Sequence, residues 1–256
     1  MTRFQFPGLL LTILWFLFVS AGVARADDPA ATRLLEQAER NTLGKTFQGL
    51  IQMTVRKGAS TRRIRMRIQT VGREKALVKI IEPAKDKGTG NLRLQLNLWQ
   101  YLPNIERIVK IPTSLMLQSW MGSDFTNDDL VRTSSLVRDY THQTLSKEKR
   151  GGFDTVKIEC LPKPEAPVVW GKVIIWVRAK DGVPLQHEYY SEKGDLLKRL
   201  VGSEIKSAGS HTVPTRLLMT NAKKEDSDTT LEYLEMKFDE SIPESLFTQE
   251  SLRKPL

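Results

Sequence analysis

Cysteine is almost missing: Cys160 is the only one in 256 residues. No intramolecular disulfide can form, so stability has to come from a hydrophobic core. Cys160 sits in FDTVKIECLP on the parity of Val156 and Ile158, which reads as buried packing. Histidine is scarce as well. His142, His187 and His211 stand at no metal-ligand spacing from one another or from the cysteine, and neither H-E-x-x-H nor C-x-x-C occurs. They read as structural or solvent-exposed side chains. There is no G-x-S-x-G nucleophile elbow, and Gly88-Thr89-Gly90 precedes strand-like sequence instead of opening a helix, so it is a turn and not a phosphate loop. No Pro-rich or Gly/Ser-rich linker, repeat or low-complexity tract divides the chain. These absences leave no constellation for an enzyme and imply neither metal nor cofactor.

What is present starts at the N-terminus. Arg3 supplies a short positive region, Leu9 to Val19 is apolar, and Ala24-Arg25-Ala26 is an A-x-A site followed by Asp27 and Asp28. This is a secretory signal peptide over residues 1–26, with cleavage expected after Ala26. The competing reading is an uncleaved anchor, since Phe4 to Ala24 is mostly apolar; Gln5, Pro7 and the small-residue exit favour cleavage. No cysteine follows the apolar run, so no lipid anchor is expected on the mature N-terminus. Residues 27–256 then form one soluble domain of about 230 residues, enough for a sizeable core. The formal net charge of +9 becomes +7 once Arg3 and Arg25 leave. A basic balance suits nucleic acid, an anionic membrane or an acidic partner; export and the absence of a basic helix or stacking aromatics exclude nucleic acid.

Asp28-Pro29 reads as a helix N-cap with Pro at the first helical position. Ala31, Leu34, Leu35 and Ala38 form an amphipathic stripe, and Gly44 is the stop. β-Structure occupies the rest. Phe47, Ile51, Met53 and Val55 share one parity; Ile64, Met66 and Ile68 face one way while Arg63, Arg65 and Arg67 face the other. Such alternation marks antiparallel strands with one buried and one wet face, and Lys57-Gly58-Ala59-Ser60 is the hairpin turn between them. Further strands are expected at 76–82, 92–95, 98–102, 105–111, 153–161, 172–179, 185–190, 196–205, 215–221 and 231–238. About a dozen strands in one antiparallel sheet must curl or split. The fold class is therefore mainly β: a strongly curved antiparallel sheet forming an incomplete barrel, its concave face covered by the N-terminal helix and an irregular apolar segment. An immunoglobulin-like sandwich ranks second.

The basic strand face, Arg56, Lys57, Arg62, Arg63, Arg65 and Arg67, is either the solvated side of the hairpin or a guide for transient docking to an anionic surface. Asp124, Asp128 and Asp129, beside Ser123 and Thr126, read as capping of a short helix in preference to an acid/base pair.

The stretch from Gly88 to Leu130 carries the most information. Leu98, Trp99, Tyr101, Ile108, Ile111, Leu115, Met116, Leu117, Trp120, Met121 and Phe125 all fall in it, with Pro and Gly interruptions. Flexible Met and broad Trp beside β-structure line surfaces for greasy ligands of variable shape, although an ordinary core has the same composition. Three elements carry a resemblance: LWQYLP with Arg107, Ile111 and Pro112; GSDFTNDDL over Gly122–Leu130; and IPESLFTQESL over Ile242–Leu252. In these the chain resembles the outer-membrane lipoprotein-sorting proteins, the periplasmic lipoprotein-carrier-like family, and especially the branch found beside inner-membrane exporters of the resistance-nodulation-division type. The resemblance implies an apolar hollow that shelters acyl chains and such an exporter as partner.

The hollow is expected to be lined by Phe47, Ile51, Met53, Ile64, Met66 and Ile68 on strand parity and by Trp99, Tyr101 and Trp176 on the aromatic side of their strands, with Met116, Trp120, Met121 and Phe125 of the irregular apolar segment as a cover. Trp99 and Tyr101 oppose Leu98 and Leu102 in parity, so either set is free to face inward. The expected function is a non-enzymatic periplasmic carrier for a lipid or a lipoprotein acyl chain between inner and outer membrane. Exposing a sixteen-carbon chain to water costs about 12 kcal/mol at about 0.8 kcal/mol per CH₂, which only an apolar hollow offsets. The rivals are a periplasmic sensor or adaptor that uses the fold for protein contacts, and a polysaccharide-binding module.

Overall fold

Asp28 begins the fold by fixing one helix to one strand. Its carboxylate accepts the N–H groups of Ala30 (2.9 Å) and Ala31 (3.3 Å), capping helix α1 (Pro29–Leu43), and that of Thr144 at 3.3 Å; its own N–H donates to the His142 carbonyl at 3.0 Å. Ala31, Leu35 and Ala38 are buried along one stripe, as the i, i+4, i+7 spacing requires. The helix stops at Gly44, which has φ +59°, where a Cβ would stand 2.9 Å from the Thr46 carbonyl oxygen. The computed structural model describes residues 27–131 and 135–254; the expected signal peptide, with its cleavage after Ala26, lies outside the described residues.

Thirteen strands follow among the described residues: β1 (Thr46–Lys57), β2 (Ser60–Val71), β3 (Lys75–Glu82), β4 (Gly90–Leu94), β5 (Asn97–Leu102), β6 (Arg107–Lys110), β7 (Tyr140–Arg150), β8 (Phe153–Pro162), β9 (Lys172–Arg178), β10 (Pro184–Tyr190), β11 (Leu196–Ala208), β12 (His211–Asn221) and β13 (Lys224–Phe238). They make one antiparallel sheet in the order β6-β5-β4-β3-β2-β1-β13-β12-β11-β10-β9-β8-β7, not closed into a barrel. Only β7 lies outside the expected strands. Its sequence YTHQTLSKEKR is mostly polar, because it is an edge strand paired with β8 alone and half of it faces solvent.

The strand order forces a crossing. The first and last strands pair in the middle, so the chain leaves one outer edge at β6 and re-enters at the other at β7. The connection between them runs from one edge to the other, and its described residues Trp120, Met121 and Leu130 pack on the face that carries Met53, Ile64 and Met66. Its described residues form two 3₁₀ turns (Thr113–Leu115 and Trp120–Gly122) and two short helices, α2 (Asn127–Val131) and α3 (Leu136–Asp139). No helix among the described residues is long and apolar enough to cross a membrane.

Two layers cover the sheet. On the concave face α1 packs with Tyr140, Val156, Ile158, Cys160, Val173 and Ile175. Cys160 is fully buried, and burial pushes its thiol far above the ordinary range, so it stays a neutral packing group. On the convex face the C-terminal segment brings Ile242, Phe247 and Leu252 onto Leu77 and Leu92. Its last helix, α4 (Gln249–Arg253), is capped by the Thr248 hydroxyl, which accepts the Ser251 N–H at 3.2 Å. Gly90 permits this contact: a Cβ there would meet Leu252 Cδ2 at 2.9 Å.

The basic hairpin face is largely paired across strands. Arg65 reaches Glu82 at 3.4 Å, Arg67 reaches Glu235 at 3.8 Å, and Arg56 forms an ion pair with Asp228. Exposed pairs of this kind contribute little stability. Arg62 differs from its neighbours. Its even parity turns it toward the concave edge, where it binds Asp86 at 2.6 Å and donates to the Met121 carbonyl at 3.1 Å.

Candidate functional site

Between α1 and the sheet lies a cavity of about 520 Å³, within the range of small-molecule sites, roughly 300–1,000 Å³. It is bounded by Leu35, Ala38 and Leu43 of α1, by Phe47 and Ile51 of β1, and by strands β9 to β13 on the far side. Strand alternation aims those residues inward. Phe47 can lie over the sheet because Gly49 has no side chain; a Cβ at Gly49 would be 2.5 Å from the Phe47 ring. The ring also packs against Tyr233 and Phe238, with centroids at 5.8 and 5.0 Å.

The few polar groups in the wall are shaped by burial. Low dielectric pushes the His187 pKa down to about 4 and holds the ring neutral at physiological pH; it also drives the phenols of Tyr189 and Tyr233 up. At one end of the cavity stand Glu39, Arg73 and Arg93. Arg73 pairs with Glu39 at 2.7 Å, and Glu39 also accepts the Ser135 hydroxyl at 2.8 Å.

The crossing segment fills the rest of the concavity. Trp120 is buried with Met53, Ile64, Met66, Val78 and Ile80, and Met121 and Leu130 pack against this group. Polar bonds fasten the segment to the sheet. Asp124 accepts the hydroxyls of Thr229 (2.8 Å) and Ser227 (3.0 Å), and its N–H donates to Thr229 Oγ1 at 2.9 Å. Thr126 and Asp129 cap α2 reciprocally: the Thr126 N–H donates to Asp129 at 2.6 Å and the Asp129 N–H to Thr126 Oγ1 at 3.2 Å. Asp129 also pairs with buried Lys198 at 2.9 Å, whose ammonium lies 5.4 Å from the Trp170 ring centre. Asp124 is thus an anchor to the sheet, and Asp129 is both a helix cap and an anchor.

The residues expected to line the hollow divide into groups. Phe47, Ile51 and Ile68 face the cavity. Met53, Ile64 and Met66 lie beneath the crossing segment with Trp120 and Met121, while Met116 and Phe125 are half-buried on the segment itself. Trp99 and Tyr101 are corrected. Register pairs Leu98 with Arg93 and Trp99 with Leu92, so Leu98 points inward and Trp99 and Tyr101 lie on the convex face under the C-terminal segment. Trp176 is corrected too. Val173, Ile175 and Val177 face α1, and alternation sends Trp176 outward, where Arg150 and Lys157 lie over its ring at 4.3 and 4.9 Å and its Nε1–H donates to Glu148 at 2.7 Å.

Sequence reasoning did not reach Arg73, Arg93, His187, Lys198 or Thr229. Arg93 in NLRL reads as the wet side of an alternating strand, and only the pairing of β4 inside a sheet covered on both faces makes it a wall of the cavity. The histidines follow the structural reading: buried His142 is within 2.9 Å of the Thr32 hydroxyl and 2.6 Å of the Leu136 carbonyl, and His211 is 2.8 Å from Asp239. No three His, Cys, Asp or Glu side chains cluster as a metal site among the described residues.

Residues 72–254 match the model of a family described as an uncharacterized protein. No curated protein matches the chain in sequence. Among the solved structures that share its fold, three are similar over nearly their whole length. One, described as a DUF1329 family protein from Desulfovibrio piger, is 20% identical with a TM-score of 0.81, covering 89% of this chain and 100% of the other. A domain described as an outer membrane lipoprotein-sorting protein, from Vibrio parahaemolyticus, is 22% identical with a TM-score of 0.77, covering 88% and 98%. A LolA superfamily protein from Nitrosomonas europaea is 25% identical with a TM-score of 0.72, covering 86% and 98%.

Proposed function

The chain belongs to the DUF1329-like family matched over residues 72–254, and from that premise we propose that it is a periplasmic carrier that shelters the acyl chain of a lipid or lipoprotein in its concave cavity. The carrying observation is the hollow of about 520 Å³ between α1 and the sheet, with Leu, Ala and Phe side chains in its wall. Apolar burial at about 25 cal/mol per Å² is the force that holds an alkyl chain there. The lipoprotein-sorting description attached to the Vibrio parahaemolyticus domain of the same fold supports the same reading.

The crossing segment is the cover in this proposal. Its apolar side chains occupy the concavity over Met53, Ile64 and Met66, so lifting it would lengthen the hollow. It is tied down by a few charge-assisted bonds, Arg62 to Met121, Asp124 to Thr229 and Asp129 to Lys198, each contributing about 1.5–3 kcal/mol. Loading is driven by a membrane partner or by downhill transfer between sites, and the sequence resemblance suggests an exporter of the resistance-nodulation-division type as that partner. The signal peptide, cleaved after Ala26, delivers the domain of residues 27–256 to the periplasm.

Native mass spectrometry of protein released from its own periplasm tests the proposal. Co-purifying lipid or acylated peptide, on a chain that starts at Asp27, is the expected result. A lipid-free protein that instead holds an unacylated polypeptide would favour the sensor or adaptor reading and overturn the carrier.

A further inference from the structure

Arg93 is the charged side chain of the cavity wall that no opposite charge meets: Glu39 pairs with Arg73, and Asp129 with Lys198. Arg93 is 8% exposed, its strand partners Ala76 and Leu98 are both buried, and its guanidinium has no hydrogen bond or ion pair among the described residues; its Nε is buried and unpartnered. Guanidinium groups stay charged at neutral pH, and here burial and the neighbouring charge of Arg73 pull the pKa only to about 10. A buried, unpaired charge is costly and persists where some other gain offsets it. The nearby acid does not neutralise it: Glu39 is already engaged by Arg73 at 2.7 Å and by the Ser135 hydroxyl. With Glu39 paired to Arg73, Asp139 to Arg138 and Asp129 to Lys198, the excess positive charge stands on Arg93, and the remaining wall is mostly apolar with a neutral His187.

We infer that the cavity takes an amphiphile with an anionic head, a carboxylate or a phosphate, whose alkyl chain lies between α1 and the sheet and whose charge is received by the Arg93 guanidinium beside Arg73. Arginine suits this role because its planar fork donates two parallel hydrogen bonds to either anion. The inference rests on the carrier reading and narrows it. The acyl groups of a lipoprotein are attached through esters and an amide, which bring no anion to this end, so a free anionic lipid fits the charge better.

The test compares one chain length with three heads. Hexadecanoate, hexadecyl phosphate and uncharged hexadecanol are titrated into delipidated full-length mature protein by calorimetry, and into the Arg93→Met and Arg93→Lys variants. The expected result is at least tenfold tighter binding of one or both anions than of hexadecanol, loss of that preference in Arg93→Met with hexadecanol binding kept, and partial recovery in Arg93→Lys. The tighter anion identifies the head. Arg93→Met should also raise the Tm of the empty protein, because a buried unpaired charge is removed, which separates this outcome from simple misfolding. Equal affinity for all three heads, unaffected by Arg93→Met, would overturn the anionic head and leave the carrier standing. Binding of none of them would overturn the carrier and this inference with it.

Discussion

Asp124 and Thr229 bond to each other twice: the Thr229 hydroxyl donates to the Asp124 carboxylate at 2.8 Å, and the Asp124 N–H donates to the same hydroxyl oxygen at 2.9 Å. Both residues are buried, and Thr229 is fully so. Thr229 lies on β13, at the seam where the two arms of the meander meet, and Asp124 lies on the segment that crosses the hollow. The pair therefore fixes the crossing segment to the centre of the sheet. Removing one partner should strand the other's polar atoms at a cost of about 1–3 kcal/mol.

If that pin holds the segment, Asp124→Ala should accelerate amide hydrogen exchange over residues 113–130 while β8 to β12 keep their protection. A double-mutant cycle with Thr229→Val should show the two changes to be non-additive, since each removes the same contact. Uniform loss of protection across the sheet would make the pair a global stability element and not a local pin.

Trp120 distinguishes a movable cover from fixed core. It is 3% exposed in the group under the segment. As a movable cover, Trp120→Glu should weaken retention of a bound lipid several-fold and leave the sheet folded. As fixed core, the same change buries an unpaired charge and costs several kcal/mol of global stability. Lipid binding and thermal unfolding measured on the same sample separate the two.

His187 sets a pH window. Its folded-state pKa of about 4 lies below the ordinary value of 6.5, so between those limits the unfolded chain binds the proton and the folded one does not. Stability from this residue is complete above pH 6.5 and is lost progressively as pH falls toward 4, by on the order of 3 kcal/mol in all. His187→Phe should flatten that part of the stability-versus-pH curve. An unchanged slope would mean that the ring is solvated.

Lys79 ties down the convex cover. Its ammonium donates to the carbonyls of Leu252 and Lys254, both at 2.6 Å, where the C-terminus of α4 presents acceptors. Lys79→Ala should free α4, exposing Leu252 and the Trp99 region without disturbing the cavity; limited proteolysis near residue 249 and Trp fluorescence would report it. Burial lowers the Lys79 pKa to about 8 from 10.5, so wild-type stability should rise between pH 8 and 10.5 through this group, and Lys79→Ala should remove that rise.

Alternation and helical periodicity are local quantities, and what depends on them was legible in the chain. The capped stripe Ala31–Ala38, the inward parity of Phe47, Ile51 and Ile68, and the hairpin turn after Lys57 follow from period 3.6, period 2 and turn chemistry. Parity, however, only says that two sets of side chains face opposite ways. Which set faces the hollow depends on what covers each face, and that is decided by segments far away in sequence. The C-terminal residues Ile242–Leu252 give the convex side of β4 and β5 an apolar lid, so Trp99 and Tyr101 find burial there while Leu98 turns inward. The same covering makes Arg93, polar in a pattern that reads as wet, a buried wall of the cavity, and it sends Trp176 under two cations. The central pairing of β1 with β13 is a contact between the two ends of the domain; it places β6 and β7 at opposite edges of the sheet, so the chain between them has to pass from one edge to the other, a requirement no local pattern announces.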